Sequence, residues 1–198
     1  LTVETGHLSV SNGAGVSSAT YGQGQGGSLT IIASDSVKLS GTSADGQSSS
    51  RLASETFGAG DAGSLTITTG QLLVQDGAFV SAGTRPNSEG KGRNLTVTAS
   101  DFVELSGGGG LFAQTEGAGD AGNLTITTKN LSVTNGSLLQ VDTFGEGSAG
   151  NLTIDTSSLI GTTANGQSSS GLFTTAEPGA TGAGGDLTVE TGHLSVSN

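Results

Sequence analysis

Asp155 and Glu190 are the carboxylates whose spacing best suits paired acid chemistry, because each lies three residues after a Leu that opens a Leu-Thr-(Val/Ile) run. The same slot elsewhere holds Glu4, Ile32, Thr68, Thr98 and Thr127. Sites that cleave polysaccharides cluster Asp or Glu on one face, often beside Arg or Lys. Here only two acids fall together and no basic residue attends them, so no catalytic residue and no enzymatic activity are expected. His7 and His193 stand 186 residues apart at equivalent places and have no Cys, second His or acidic triad at ligand spacing, so no metal site or cofactor is expected. Gly58-Ala-Gly-Asp61 and Gly117-Ala-Gly-Asp120 resemble calcium-binding glycine-rich turns, but the spacing fails and turn glycines explain them better.

The elements that must position these residues follow from one recurring run. It starts at Leu1, Leu29, Leu65, Leu95, Leu124, Leu152 and Leu187, at intervals of 28, 36, 30, 29, 28 and 35 residues. A period of about 30 residues that tolerates insertions marks a solenoid. Each unit splits into three extended pieces bounded by Gly, Asn, Asp or Ser, such as Leu1 to Thr5, His7 to Val10 and Val16 to Thr20. Alternation puts Leu1, Val3, Leu8, Val10 and Val16 on one side and Thr2, Ser9 and Ser17 on the other. The expected fold is all-β: a parallel β-helix with three short strands per rung and about six rungs, right-handed because parallel crossovers nearly always are. At about 4.8 Å per rung the stack would be roughly 29 Å long. The rungs span 1–28, 29–64, 65–94, 95–123, 124–151 and 152–186, and 187–198 restarts the first.

Two kinds of rung alternate. Those opening at 29, 95 and 152 carry Ser-Asp or Ser-Ser before their second piece, and two of them add a polar flap, 41–50 and 161–170. Residues 1–12 recur unchanged at 187–198, whereas the matching stretch at 65 keeps 6 of 12 residues and that at 124 keeps 7. Either a six-rung block repeats or the chain was built to be joined end to end. In both cases neither end is expected to be a cap, and each would offer an unpaired strand edge.

Composition narrows the partners. The chain has 36 Gly, no Cys, no Met and no Trp, and its formal charge is -11, from 6 basic and 17 acidic residues. Nucleic acid and anionic membrane surfaces are repelled. No apolar run approaches the roughly 20 residues that span a bilayer. Glycine supplies turns, and a core one or two side chains wide is completed by the neighbouring rung.

Several surface columns remain. Outward Thr recurs at 2, 30, 66, 96, 125, 153 and 188 and doubles to Thr-x-Thr at 66/68, 96/98 and 125/127. The array resembles the ice-binding face of some solenoids, although β-propensity and hydroxyl pairing also favour it. Asn94, Asn123 and Asn151 open Asn-Leu-Thr sequons, and a stacked amide ladder accounts for them. Ala53, Phe79, Phe112, Leu138 and Phe173 point outward if Val80 and Leu139 point inward; either they form an apolar ridge for lateral contact or a one-residue slip has swapped the faces. Arg85, Lys91 and Arg93 put half the basic residues in one loop, either a patch for an acidic neighbour or a solvated loop. Asp45, Gln47, Asn165 and Gln167 are the candidate contact residues of the two flaps.

Phrases such as Gly58-Ala-Gly-Asp-Ala-Gly-Ser-Leu-Thr-Ile67, Leu72-Leu-Val-Gln-Asp-Gly-Ala78 and Thr98-Ala-Ser-Asp-Phe-Val-Glu-Leu105 resemble the repeats of filamentous-haemagglutinin-like exoproteins of two-partner secretion, especially cyanobacterial ones. The resemblance covers the whole chain. It implies a secreted β-helical shaft for adhesion, surface coats or filaments, exported by an outer-membrane partner. Two readings stay open. One is a filament or cell-surface shaft that contacts copies of itself end to end and laterally. The other is an adhesin that binds glycans or cells through its flaps. An ice-binding protein and an engineered concatenable solenoid stand behind them.

Overall fold

A computed structural model describes residues 1–162 and 169–197. Among these residues thirteen strands form two parallel sheets. Odd strands build one: β1 (Thr2–Ser11), β3 (Leu29–Ser40), β5 (Leu65–Gln75), β7 (Leu95–Ser106), β9 (Leu124–Thr134), β11 (Leu152–Thr162) and β13 (Leu187–Ser197), hydrogen-bonded in that order. Even strands build the other, in the order β12 (Gly171–Ala176), β10 (Leu138–Thr143), β8 (Gly110–Phe112), β6 (Phe79–Thr84), β4 (Arg51–Thr56) and β2 (Gly15–Thr20). The chain is an all-β parallel solenoid of about six rungs.

Like residues stack on like. Leu29, Leu65, Leu95, Leu124 and Leu152 form one column and Ile31, Ile67, Val97, Ile126 and Ile154 the next, all with no exposed surface. Across the interior, Leu52, Val80, Leu111 and Leu139 close the core from the even strands. Alternation at period two makes this possible, since every second side chain enters the same narrow interior. Each enclosed Leu contributes about 1.5–3 kcal/mol by leaving water.

The first two predicted pieces run on as a single long strand, with a register shift where they meet. Thr5 pairs with Ala33 and His7 with Ser36, so Ser34 and Asp35 in β3 face Gly6 alone. The extra residue recurs in β7, between Ala99 and Phe102. It does not recur in β11, whose Thr156 and Ser158 pair evenly with Thr128 and Asn130. Ser157-Ser158 therefore belongs with the plain rungs at this corner, not with Ser34-Asp35 and Ser100-Asp101. Such bulges bend the strand and re-aim the side chains beyond them.

β1, β5, β7 and β9 pass to the even strands through tight turns in which both central residues have positive φ: Asn12-Gly13, Asp76-Gly77, Gly107-Gly108 and Asn135-Gly136. That conformation selects Asn, Asp and Gly. Even strands return along a third side that is not strand but stacks rung on rung. Its hydrogen bonds include Ala62 N to Lys91 O (2.9 Å), Gly92 N to Asp120 O (2.8 Å) and Ala121 N to Ser148 O (2.9 Å). Gly24, Gly60, Gly90, Gly119, Gly147 and Gly182 form a column in which a Cβ on any of the last five would overlap the carbonyl of the glycine one rung before. The abundant glycine thus lets backbones touch.

Candidate functional site

Phe79, Phe112, Leu138 and Phe173 do face outward, but not as one simple column. Gly15, Arg51, Phe79, Gly110, Leu138 and Gly171 share one register line. Ser17, Ala53, Ser81, Phe112, Gln140 and Phe173 share the line two residues on. The two lines merge because the ring of Phe112 folds back over Gly110 and that of Phe173 over Gly171, where a Cβ would overlap the rings. Phe79 and Phe112 lie 6.2 Å apart, tilted by 51°. A nearly continuous apolar ridge of Phe79, Phe112, Leu138 and Phe173 results, half-buried except for Phe173 at 39 % exposure. Ala53 leaves it, being fully buried.

The three basic residues of the 84–94 loop are each paired to an acid on another rung. Arg85 reaches Glu55 at 2.5 Å and Glu116 at 3.4 Å, Lys91 reaches Asp120 at 3.0 Å, and Arg93 reaches Asp61 at 2.7 Å. Lys91 holds the Asp120 carboxyl below its ordinary range, helped by the Ser148 amide. These pairs lie about 30 residues apart in sequence and one rung apart in space, so the loop stitches the stack and is neutralised within it.

The first flap is a small hairpin on the corner between β3 and β4. Thr42 bridges Ser49 antiparallel, and Ser43 N donates to Ser48 O at 2.7 Å. At its tip the Asp45 carboxylate accepts from the Ser43 hydroxyl (2.5 Å) and the Gln47 amide (3.1 Å), which lower its pKa in that order. The flap lies against the Asn12-Gly13 turn, where a Cβ on Gly13 would strike Ser43. Asn165 and Gln167 of the second flap lie outside the described residues.

Flap, ridge and basic loop meet. A groove of about 470 Å³ is lined by Gln47, Ser48 and Ser49 from the flap, Arg51, Glu55 and Phe57 from the second rung, and Phe79, Arg85 and Pro86 from the third. A depression of about 180 Å³ continues it past Phe79 and Arg85 to Phe112 and Gln114. Glu55, only 5 % exposed, accepts from Arg85 and from the Ser81 hydroxyl at 2.9 Å. Phe57 stacks on Tyr21 at 4.7 Å with 15° between the rings. Arg51 differs from the loop cations: among the described residues no carboxylate lies within ion-pair reach of it. Sequence reading missed Arg51 because only the register shows that it stands beside Phe79 and under the flap.

The other sequence-predicted columns are in place. Asp155 does pair in register with Glu190, next to Thr127, in an open hollow with no cation lining it. His7 contacts the Ser36 hydroxyl (2.9 Å) and Asp35 (3.7 Å). Among the described residues, no group of three His, Asp or Glu side chains is arranged to hold a metal ion. The seven Thr of the first outward column stack in one line, with the three Thr-x-Thr rungs adjacent. Asn94, Asn123 and Asn151 form a ladder in which each side-chain oxygen accepts from the next rung's amide, at 3.0, 2.8 and 2.9 Å.

A second threonine ladder went unread because its residues follow no Leu-Thr beat. Thr56, Thr84, Thr115 and Thr143 stack inside the corner after the even strands, all at most 2 % exposed. Their hydroxyls donate to glycine carbonyls of the return side: Thr56 to Gly60, Thr115 to Gly119 (both 2.5 Å) and Thr143 to Gly147, while Thr84 contacts Thr115 at 2.8 Å. Nearby Asp142 is buried, and burial raises its pKa against hydrogen bonds from Thr175 and Gln114. Comparison with protein-family models, with curated proteins and with solved structures returns no match.

Proposed function

We propose that this chain is a secreted, extracellular structural solenoid, a filament or cell-surface shaft that acts through length, stiffness and repeated contacts. One observation carries the reading. The identical stretches 2–11 and 188–197 occupy the same columns six rungs apart, so a further block would continue the seven-stranded sheet in register. Leu194, 56 % exposed, stands in the inward column of Leu159, which is 2 % exposed, and Val196, 77 % exposed, in the column of Gly161. A following block, in the same chain or in a second copy, would cover them as the stack covers its own inward residues, such as Val37 and Leu39, which have no exposed surface. The apolar ridge supports lateral contact between such shafts. Export by an outer-membrane partner rests on the resemblance to two-partner exoproteins alone.

Sedimentation velocity tests the end-to-end part. The chain should self-associate with rising concentration, and Leu194→Asp with Val196→Asp should keep it monomeric. Equal sedimentation of parent and variant would defeat end-to-end contact between separate copies and leave only continuation within one chain.

The adhesin reading is favoured by a separate observation, the groove beneath the first flap. Removing residues 42–49 should abolish binding to cells or glycans if the groove mediates it, and unaltered binding leaves only the shaft.

A further inference from the structure

We infer that the groove beneath the first flap is a binding site for an acidic oligosaccharide, with Arg51 receiving a uronate carboxylate and Phe57 and Phe79 receiving the apolar faces of the sugar rings. The inference rests on the groove alone, and fibre formation can fail without touching it.

The cations of the groove are not equivalent. Arg85 already holds Glu55 and Glu116, so a third carboxylate placed there would meet two like charges. Arg51 has no acid within reach among the described residues, yet it lies half-buried in a chain of net charge -11 that has acids to spare. Its stem and guanidinium both lie over Gly15, where a Cβ would come within 3.3 Å of the Arg51 Cγ and 3.6 Å of Nε and Cζ, so the side chain is held across the strand column. A planar guanidinium fixed in this way suits bidentate capture of a carboxylate.

The rest of the lining fits a sugar. Arg51 and Phe79 are direct register neighbours and both line the groove. Phe57, 41 % exposed, is backed by Tyr21 and presents a second ring at the other side. Gln47, Ser48 and Ser49 supply donors and acceptors for hydroxyl groups along the flap edge. With its continuation past Phe112 and Gln114, the groove crosses three rungs, about 10–14 Å at the usual inter-strand spacing, so it accommodates a short oligosaccharide. Uronates alternate a carboxylate with an apolar ring face, which is the sequence of groups the groove offers. Nucleic acid, with a charge at every phosphate, needs many free cations on one track and finds one.

The test is calorimetric titration of the intact chain, at about 0.15 M salt where the Debye length is roughly 8 Å and repulsion from the acidic shaft is mostly screened. The probes are an α-1,4-linked galacturonate hexamer and its methyl ester, which keeps the rings and removes the charges. The acid should bind and the ester should bind at least about tenfold more weakly, the difference of one charge-assisted contact. Arg51→Gln, which keeps the stem, should weaken the acid by a similar factor and leave the ester unchanged. Phe57→Ala, at an exposed ring, should weaken both, with the thermal unfolding curve reporting that the stack is intact. Equal affinity for acid and ester, an unaltered titration with Arg51→Gln, or no heat from either sugar would each overturn the assignment.

Discussion

The ring of Phe112 occupies the space above Gly110, two residues before it on the same strand, and so fills the place in the ridge between Phe79 and Leu138 that glycine leaves open. The same relationship links Phe173 to Gly171. An aromatic residue that covers a strand glycine keeps the outer face of the sheet closed where the backbone has no side chain of its own. It also makes the ridge depend on residues that are not apolar side chains at all.

Gly110→Ala should therefore expel the Phe112 ring and cost about 1–3 kcal/mol, the usual cost of overfilling a packed place. Hydrogen exchange localises the effect, because each rung of a solenoid reports mainly on its neighbours. Faster exchange confined to β6, β8 and β10 is the expected outcome. Phe112→Ser should loosen the same strands and also lower any lateral association of shafts; loss of stability with unchanged bundling would assign the ring to packing alone.

The buried threonine ladder makes a second demand. Thr115→Val keeps the shape but strips Gly119 O of its hydroxyl donor and the Thr84 O–H of its acceptor, although Thr84 Oγ1 still accepts from the Glu116 and Gly117 amides. Leaving those buried groups unsatisfied should cost about 1–3 kcal/mol, read from urea unfolding of the variant against the parent. Thr115→Ser keeps the hydroxyl and should restore most of it.

Close backbone stacking on the return side predicts a steeper loss. Gly119→Ala places a methyl against the Gly90 carbonyl, and backbone cannot move aside as a flexible side chain can. The expected outcome is separation of the two rungs, seen as exchange of the Gly92 amide, which donates to Asp120 O at 2.8 Å. Gly22→Ala, where nothing lies within 4 Å, is the matched control and should be nearly silent.

Asp142 ties stability to pH. Its folded pKa is raised above the ordinary value of 3.8 chiefly by burial. The protonated form is therefore the better folded partner: the contribution is fully present below the unfolded pKa and is lost as pH rises through the folded one. Asp142→Asn, which stays neutral, should flatten that part of the profile and melt above the parent at pH 7. Thermal unfolding between pH 3 and 7 measures it, and a parent profile parallel to that of the variant would contradict the assignment.

Much of this architecture was legible because its signals are local. The alternation of Leu29, Ile31, Val37 and Leu39 marks the inward face, and the recurring Leu-Thr run sets the register without reference to the rest of the fold. Other features depend on what sits one rung away. The pairing of Arg85 with Glu55 spans 30 residues, and only the stacking register shows that the basic loop is neutralised. The bulge at Ser34-Asp35 has a sequence mark, yet Ser157-Ser158 carries a similar one without an added residue, so spacing across the corner decides. Phe112 was legible as outward-facing but not as a cover for Gly110, since that depends on a rotamer. Arg51 escaped notice because its lack of an acidic neighbour is a property of the assembled surface.

The central claim, a shaft that continues block after block, is tested most directly by electron cryo-micrographs of the purified native material. The account predicts fibres whose axial repeat equals six rungs, roughly 29 Å at about 4.8 Å per rung. Dispersed short rods with no such repeat would contradict it.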